Sequence, residues 1–255
     1  MDIAYTTPVH SDPAMHRALL AASRISVTEP LRGYEMSQDG CLPPSGFARF
    51  FELMRWELGR RGRVTDAAMP KRGVVRAQTH EYVKPLRFPD TWTGRTHLIR
   101  VGGSSLHYAH DITLADGSVA VRARTVIVLL DAASRPAKVP AYLGDYVDSE
   151  FDAPAALTSE TPAWTGNPTY RVELRPSDQD SFRHVNQARY VDLVDDARRA
   201  AGLGPLRALS VAYERETLAG EVLEIEVAAA GSGRYAFQMV RAGDGVVVNR
   251  GVFDA

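Results

Sequence analysis

Ser45-Gly46-Phe47-Ala48-Arg49-Phe50-Phe51-Glu52-Leu53 and Asn186-Gln187-Ala188-Arg189-Tyr190-Val191-Asp192-Leu193 share one pattern, Ala-Arg-aromatic-apolar-acid-Leu. A pattern that recurs so far along a chain marks an internal duplication. In the first copy Phe47, Phe50, Phe51, Met54 and Leu58 fall at helical spacing, which predicts an amphipathic helix over 44–61 with one apolar stripe. The second copy is periodic through Ala188, Val191, Val194 and Ala197, and Gly202 supplies a stop, which predicts a helix over 185–201.

Working outward, each helix is followed by four runs with period-two alternation, the mark of half-buried strands. In the first half these are Val74 to Val83, Arg95 to Val101, Leu106 to Leu114 and Val119 to Leu130, with Asp116-Gly117 turning the last pair. In the second half they are Leu209 to Glu216, Val222 to Val227, Tyr235 to Val240 and Val246 to Val252. A strand also precedes each helix, Ile25 to Glu35 and Tyr170 to Arg175. One helix beside so many antiparallel strands has to lie against a single sheet face, so the architecture is α+β, used twice. Pro140, Pro154, Pro162 and Pro168, with interspersed Ser, Thr and Gly, mark the join. The expected division is an N-terminal unit over 1–145, a linker over 146–168 and a C-terminal unit over 169–255.

Composition narrows the function. The 255 residues carry 30 Lys and Arg against 31 Asp and Glu, a net charge of −1, so no nucleic acid or other highly charged partner is implied. No run approaches the roughly 20 apolar residues of a membrane helix. Met1-Asp2-Ile3-Ala4 has neither a basic n-region nor an apolar h-region, so a cytoplasmic protein without membrane association is expected. Cys41 is the one cysteine and can build neither an internal disulfide nor a thiolate cluster. Chemistry is left to oxygen and nitrogen groups, with no metal and no cofactor expected. His107 and His110 are three apart on a strand and face opposite sides, so one ion cannot take both.

The loops ahead of the two helices differ. The first ends in Pro43-Pro44, and proline has no N–H to offer an anion. The second, Pro176-Ser177-Asp178-Gln179-Asp180-Ser181-Phe182-Arg183-His184-Val185-Asn186, gathers carboxylates, a His and an Asn before a helix N-terminus. That end can bind a carbonyl oxygen gaining negative charge, so a single site in the second copy is expected. Asp178 and Asp180 also suit a turn, His184 a structural ring, and Glu216 a solvated ion pair.

Asp178-x-Asp180 followed by His184-Val185-Asn186-Gln187-Ala188-Arg189-Tyr190 resembles the hotdog-fold acyl thioesterases, where an Asp precedes a His-Val-Asn-Asn-Ala-Arg-Tyr-like helix start. Pro85-Leu86, Ile99-Arg100-Val101-Gly102, Ser104-Ser105, Asp131 and Pro140 are similar to that superfamily's strand pattern. As two tandem units the chain is most similar to the double-hotdog acyl-carrier-protein thioesterases of plants and bacteria. The resemblance implies a tandem hotdog, each unit a curved antiparallel sheet wrapped around a long central helix. It implies catalytic roles for Asp180, His184 and Glu216, with Phe182 at the family's Asn position and Thr217 at its Cys position. Phe182, Val185, Asn186 and Thr217 are then the expected substrate-binding residues, with the thioester carbonyl at the Val185 and Asn186 N–H groups. The implied reaction is hydrolysis of a fatty or polyketide-type acyl thioester, on acyl carrier protein or coenzyme A through the phosphopantetheine arm. A homodimer stays open. A hydratase or dehydratase on the same fold is an alternative, although the Asp-x-Asn-Pro-x-His spacing is missing. A non-hydrolytic acyl or polyketide binder that promotes cyclisation is another, which the apolar Phe182 suits.

Overall fold

The computed structural model describes residues 24–61 and 72–255; Met1–Ala4 lie outside the described residues. Two long helices form, Pro44–Arg61 (α1) and Gln187–Ala200 (α2). Pro44 opens α1 at a position whose N–H has no partner in a helix. At α2, Asn186 caps the first turn by accepting the Ala188 N–H at 2.9 Å. The far end closes on Gly202, at φ +69°, with the Leu203 N–H reaching back to the Arg198 carbonyl.

The strands are β1 (Ile25–Pro30), β2 (Arg72–Tyr82), β3 (Thr91–Val101), β4 (Ser105–Leu114), β5 (Val119–Leu130), β6 (Tyr170–Glu173), β7 (Ala208–Tyr213), β8 (Val222–Gly231), β9 (Arg234–Arg241) and β10 (Val246–Asp254). All join one ten-stranded sheet in the order β1-β3-β4-β5-β2-β7-β10-β9-β8-β6. Every neighbouring pair is antiparallel. Each half therefore has the same internal order, and the halves are fused edge to edge where β2 pairs with β7. This is a double hotdog, with one continuous sheet carrying both helices.

Three expected strands are shorter in the structure. The run from Ile25 stops at Pro30, and Gly33–Glu35 instead forms a 3-10 turn closed by the Glu35 carboxylate on the Arg32 N–H. The run from Tyr170 ends at Glu173, before the 3-10 turn Pro176–Asp178. The run from Leu209 ends at Tyr213, because β10 bulges between Val247 and Asn249 and the Val248 carbonyl takes both the Glu214 and Arg215 N–H groups. Glu216 consequently lies in a loop and not on a strand.

The predicted stripe of α1 is buried along its whole length: Phe47, Phe50, Phe51, Met54 and Leu58 all lie in the core. Phe50 stacks on Trp92 with ring centres 4.3 Å apart. Each such side chain contributes about 1.5–3 kcal/mol when buried. In α2 the corresponding face is Ala188, Val191, Val194 and Ala197, reinforced by Tyr190 and Leu193. The helices run side by side in opposite directions, with Arg49 of α1 3.1 Å from Asp192 of α2. The segment between the halves is pinned to β3 by Asp148, which accepts from Arg24 and lies 3.0 Å from His97 Nδ1, and by Phe151, stacked on the His97 ring. Among the described residues no helix is long and apolar enough to cross a membrane.

Candidate active site

The loop ahead of α2 is built by its own polar groups. Gln179 and Val185 pair as an isolated β-bridge, and Asp180 to His184 make the tight turn between them. The Asp180 N–H donates to the His184 carbonyl at 2.9 Å, and the Arg183 N–H to the Asp180 carbonyl at 3.0 Å. Asp180 Oδ1 accepts the Phe182 N–H at 2.8 Å, which closes an Asx turn. Arg183 sits at φ +66°, a left-handed conformation that disfavours a side chain, and the turn holds it there because its carbonyl accepts Gln179 Nε2 at 2.7 Å.

The two acids of Asp178-x-Asp180 separate into different roles. Asp178 is buried and accepts the Arg175 N–H at 2.8 Å, with the Arg175 and Arg189 guanidinium groups each 3.2 Å away. Burial alone would raise its pKa, but the Arg175 N–H and the two cations outweigh that and hold it below the usual carboxylate range. Asp180 is half-buried, and among the described residues it makes no ion pair. It lines a cleft of about 440 Å³ together with Arg49, Arg175, Asn186 and Arg189. A carboxylate with a spare oxygen facing a cleft at a helix N-terminus can take a proton from water or attack a carbonyl carbon.

His184 and Glu216 come together, with Nε2 3.2 Å from the Glu216 carboxylate. Glu216 is 62% exposed and also 3.7 Å from Arg72, so it reaches His184 from the solvent side. Four expected substrate contacts fare differently. The Val185 N–H donates to the Thr217 carbonyl at 3.1 Å and the Asn186 N–H to the Asp178 carbonyl at 3.0 Å, so neither of these expected donors is available to a substrate oxygen. Thr217 is fully buried with its hydroxyl 2.6 Å from that of Tyr190, and it anchors the loop instead of lining the cleft. Phe182 is 58% exposed at the tip of the turn, where an Asn would have presented an amide. The helix start still offers the N–H of Gln187, its first residue, which has no acceptor within the helix.

Residues 41–153 match the model of the thioesterase-like superfamily, and residues 166–249 match that of the acyl-ACP thioesterase C-terminal domain. The chain belongs to the hotdog-fold acyl thioesterases. Among solved structures it is similar to an acyl-ACP thioesterase from Bacteroides thetaiotaomicron, at 16% identity and a TM-score of 0.79, covering 91% of this chain and 97% of that one. It is also similar to the 12:0-ACP thioesterase from Umbellularia californica, at 18% identity and a TM-score of 0.72, over 91% and 96% of the two chains. At these identities the likeness is one of fold. No curated protein sequence matches the chain.

One residue beside the candidate site was not legible as such in the sequence. Glu52 of α1 reaches across to α2, where its Oε2 accepts Asn186 Nδ2 at 3.2 Å and Gln187 Nε2 at 3.4 Å. The first half therefore contributes to the candidate site, with Arg49 lining the cleft and Glu52 holding the Asn186 and Gln187 side chains at the start of α2. The available signal was the repeat itself, since Glu52 and Asp192 are its shared acid and face each other's helix.

Proposed function

We propose that this thioesterase releases the acyl chain from the phosphopantetheine arm of an acyl carrier protein, with Asp180 as the reacting carboxylate. The observation that carries this reading is the asymmetry of the two neighbouring acids: Asp178 is committed to two arginines, whereas Asp180 lines the cleft and among the described residues makes no ion pair. As general base, Asp180 takes a proton from the water that attacks the thioester carbonyl. As nucleophile, its oxygen bonds to that carbon, and water then cleaves the mixed anhydride. In both routes the C–S bond breaks, the thiolate leaves and is protonated, and the acid departs. The Gln187 N–H, at the positive end of the α2 dipole, faces the oxygen that gains charge. His184, oriented by Glu216, positions the attacking water.

The family of the C-terminal half favours acyl carrier protein as the carrier. Coenzyme A bears the same arm, so free-thiol release is to be compared on acyl-carrier-protein and acyl-CoA substrates, the first expected to be the better one. His184→Ala and Glu216→Gln are each expected to lower kcat by roughly tenfold, less than loss of a general base. The double variant is expected to be no worse than His184→Ala, because the two residues act as one unit. Additive losses in steady-state kinetics would separate their roles.

A further inference from the structure

Gln78, His80, Thr96, His110 and Thr125 form a polar layer between the first-half sheet and α1, none of them more than 1% exposed. The strand registers give their counterparts in the second half. Gln78 pairs with Thr125 as Leu209 pairs with Phe253. His110 pairs with Ala123 as Phe237 pairs with Gly251, and Thr96 pairs with His110 as Val227 pairs with Phe237. His80, two residues beyond Gln78, corresponds to Val211. The same architecture is thus filled once with Leu, Val, Val, Phe and Phe and once with five polar groups. The fold does not require the polar set, and burying it is unfavourable unless every group finds a partner.

Much of the layer is satisfied internally. The His110 ring nitrogens lie 2.8 Å from the Thr96 hydroxyl and 3.1 Å from that of Thr125, and the Tyr213 hydroxyl donates to Gln78 Oε1 at 2.8 Å. One member and a neighbouring arginine keep spare capacity. His80 Nδ1 is bonded to the Tyr82 hydroxyl at 2.8 Å, while its buried Nε2 has no partner. Burial holds the ring neutral, with its pKa lowered to about 3. In either tautomer one hydrogen lacks an acceptor: the Nε2–H where Tyr82 donates into Nδ1, and the Tyr82 O–H where Nδ1 donates to Tyr82. Arg55 of α1 reaches the Thr125 hydroxyl at 3.4 Å, and among the described residues it has no ion pair. The unspent groups are donors, and what they lack is an acceptor oxygen. The layer also continues to the candidate site, because the Tyr213 hydroxyl lies 3.3 Å from the Gln187 carbonyl at the start of α2.

We propose that this layer receives the acyl chain and selects one bearing keto or hydroxyl oxygens along its length over a saturated chain of equal length. The inference rests on thioester hydrolysis at the α2 loop, and its test separates the two.

Octanoyl-pantetheine is to be compared with octanoyl-pantetheines carrying a single keto oxygen at the third, fifth or seventh carbon, by free-thiol release. At least one keto substrate is expected to exceed the saturated one by about tenfold in kcat/KM, the scale of one well-made hydrogen bond to a buried donor. His80→Val, the second-half residue at that position, is expected to bring the ratio toward one; Gln78→Leu replaces it should that variant not fold. Saturated substrate equal to or better than all three, or a ratio untouched by the substitution, overturns the inference while leaving hydrolysis intact. Should no thioester be cleaved, the assigned reaction is wrong. Calorimetry with the uncleavable amide analogues then decides: tighter binding of a keto chain supports the inference, and equal or absent binding overturns it.

Discussion

Asp180→Asn is expected to lower kcat/KM for thioester hydrolysis by about a hundredfold to ten-thousandfold, the usual loss when a general base is removed. An amide neither accepts a proton at neutral pH nor attacks a carbonyl. The substitution keeps shape, and the Asn Oδ1 can still accept the Phe182 N–H that closes the turn. Among the described residues no ion pair is lost with the charge, so the thermal midpoint is expected to stay within about a degree of the parent, given that surface changes away from special features usually fall within ±0.5 kcal/mol. Thiol release and thermal unfolding measured together on both proteins check this. Full activity, or a collapsed midpoint, would show Asp180 to be a turn residue.

Asp178→Ala should behave in the opposite way. Removing this carboxylate leaves Arg189 with only Asp192, 3.5 Å away, and frees the Arg175 N–H, and losing a buried charged acceptor of both groups destabilises by about 3 kcal/mol. For a domain of this size that corresponds to roughly 10 °C in midpoint. Activity falls as well, because Asp178 braces the turn that aims Asp180. The pH dependence has a definite sign. Asp178 has a lowered pKa in the folded protein, so its contribution is present above its unfolded value near 3.9 and is lost as pH falls through the folded value. The gap in midpoint between parent and Asp178→Ala is therefore expected to be full at pH 7 and to narrow below about pH 4. A gap that is constant with pH would remove the ionised carboxylate from the account.

The two helices were legible because their apolar residues recur at helical spacing and Pro44 and Gly202 mark ends. The fusion of both halves into one sheet was not, since β2 and β7 alternate like any half-buried strand and nothing local names a partner. Glu216 was misplaced for a related reason: alternation persists past Tyr213, but the chain leaves the sheet because of a bulge around Val248 in β10. The Val185 and Asn186 N–H groups looked free because their acceptors, the carbonyls of Thr217 and Asp178, meet them only in the folded loop. Asp180, His184 and Glu216 were expected through family resemblance, and the structure adds what spacing could not: which of two neighbouring acids is already spoken for. Alternation likewise located the first-half strands without revealing that Gln78, His80 and His110 face inward.

The decisive measurement incubates the parent protein with an acyl-loaded carrier protein and follows free thiol and the released acyl product together, with Asp180→Asn as the paired sample. The expected result is one thiol and one free carboxylic acid for every acyl group consumed by the parent, with release all but abolished in Asp180→Asn. An intact thioester carrying a dehydrated chain, or undiminished thiol release from Asp180→Asn, would contradict hydrolysis by this carboxylate.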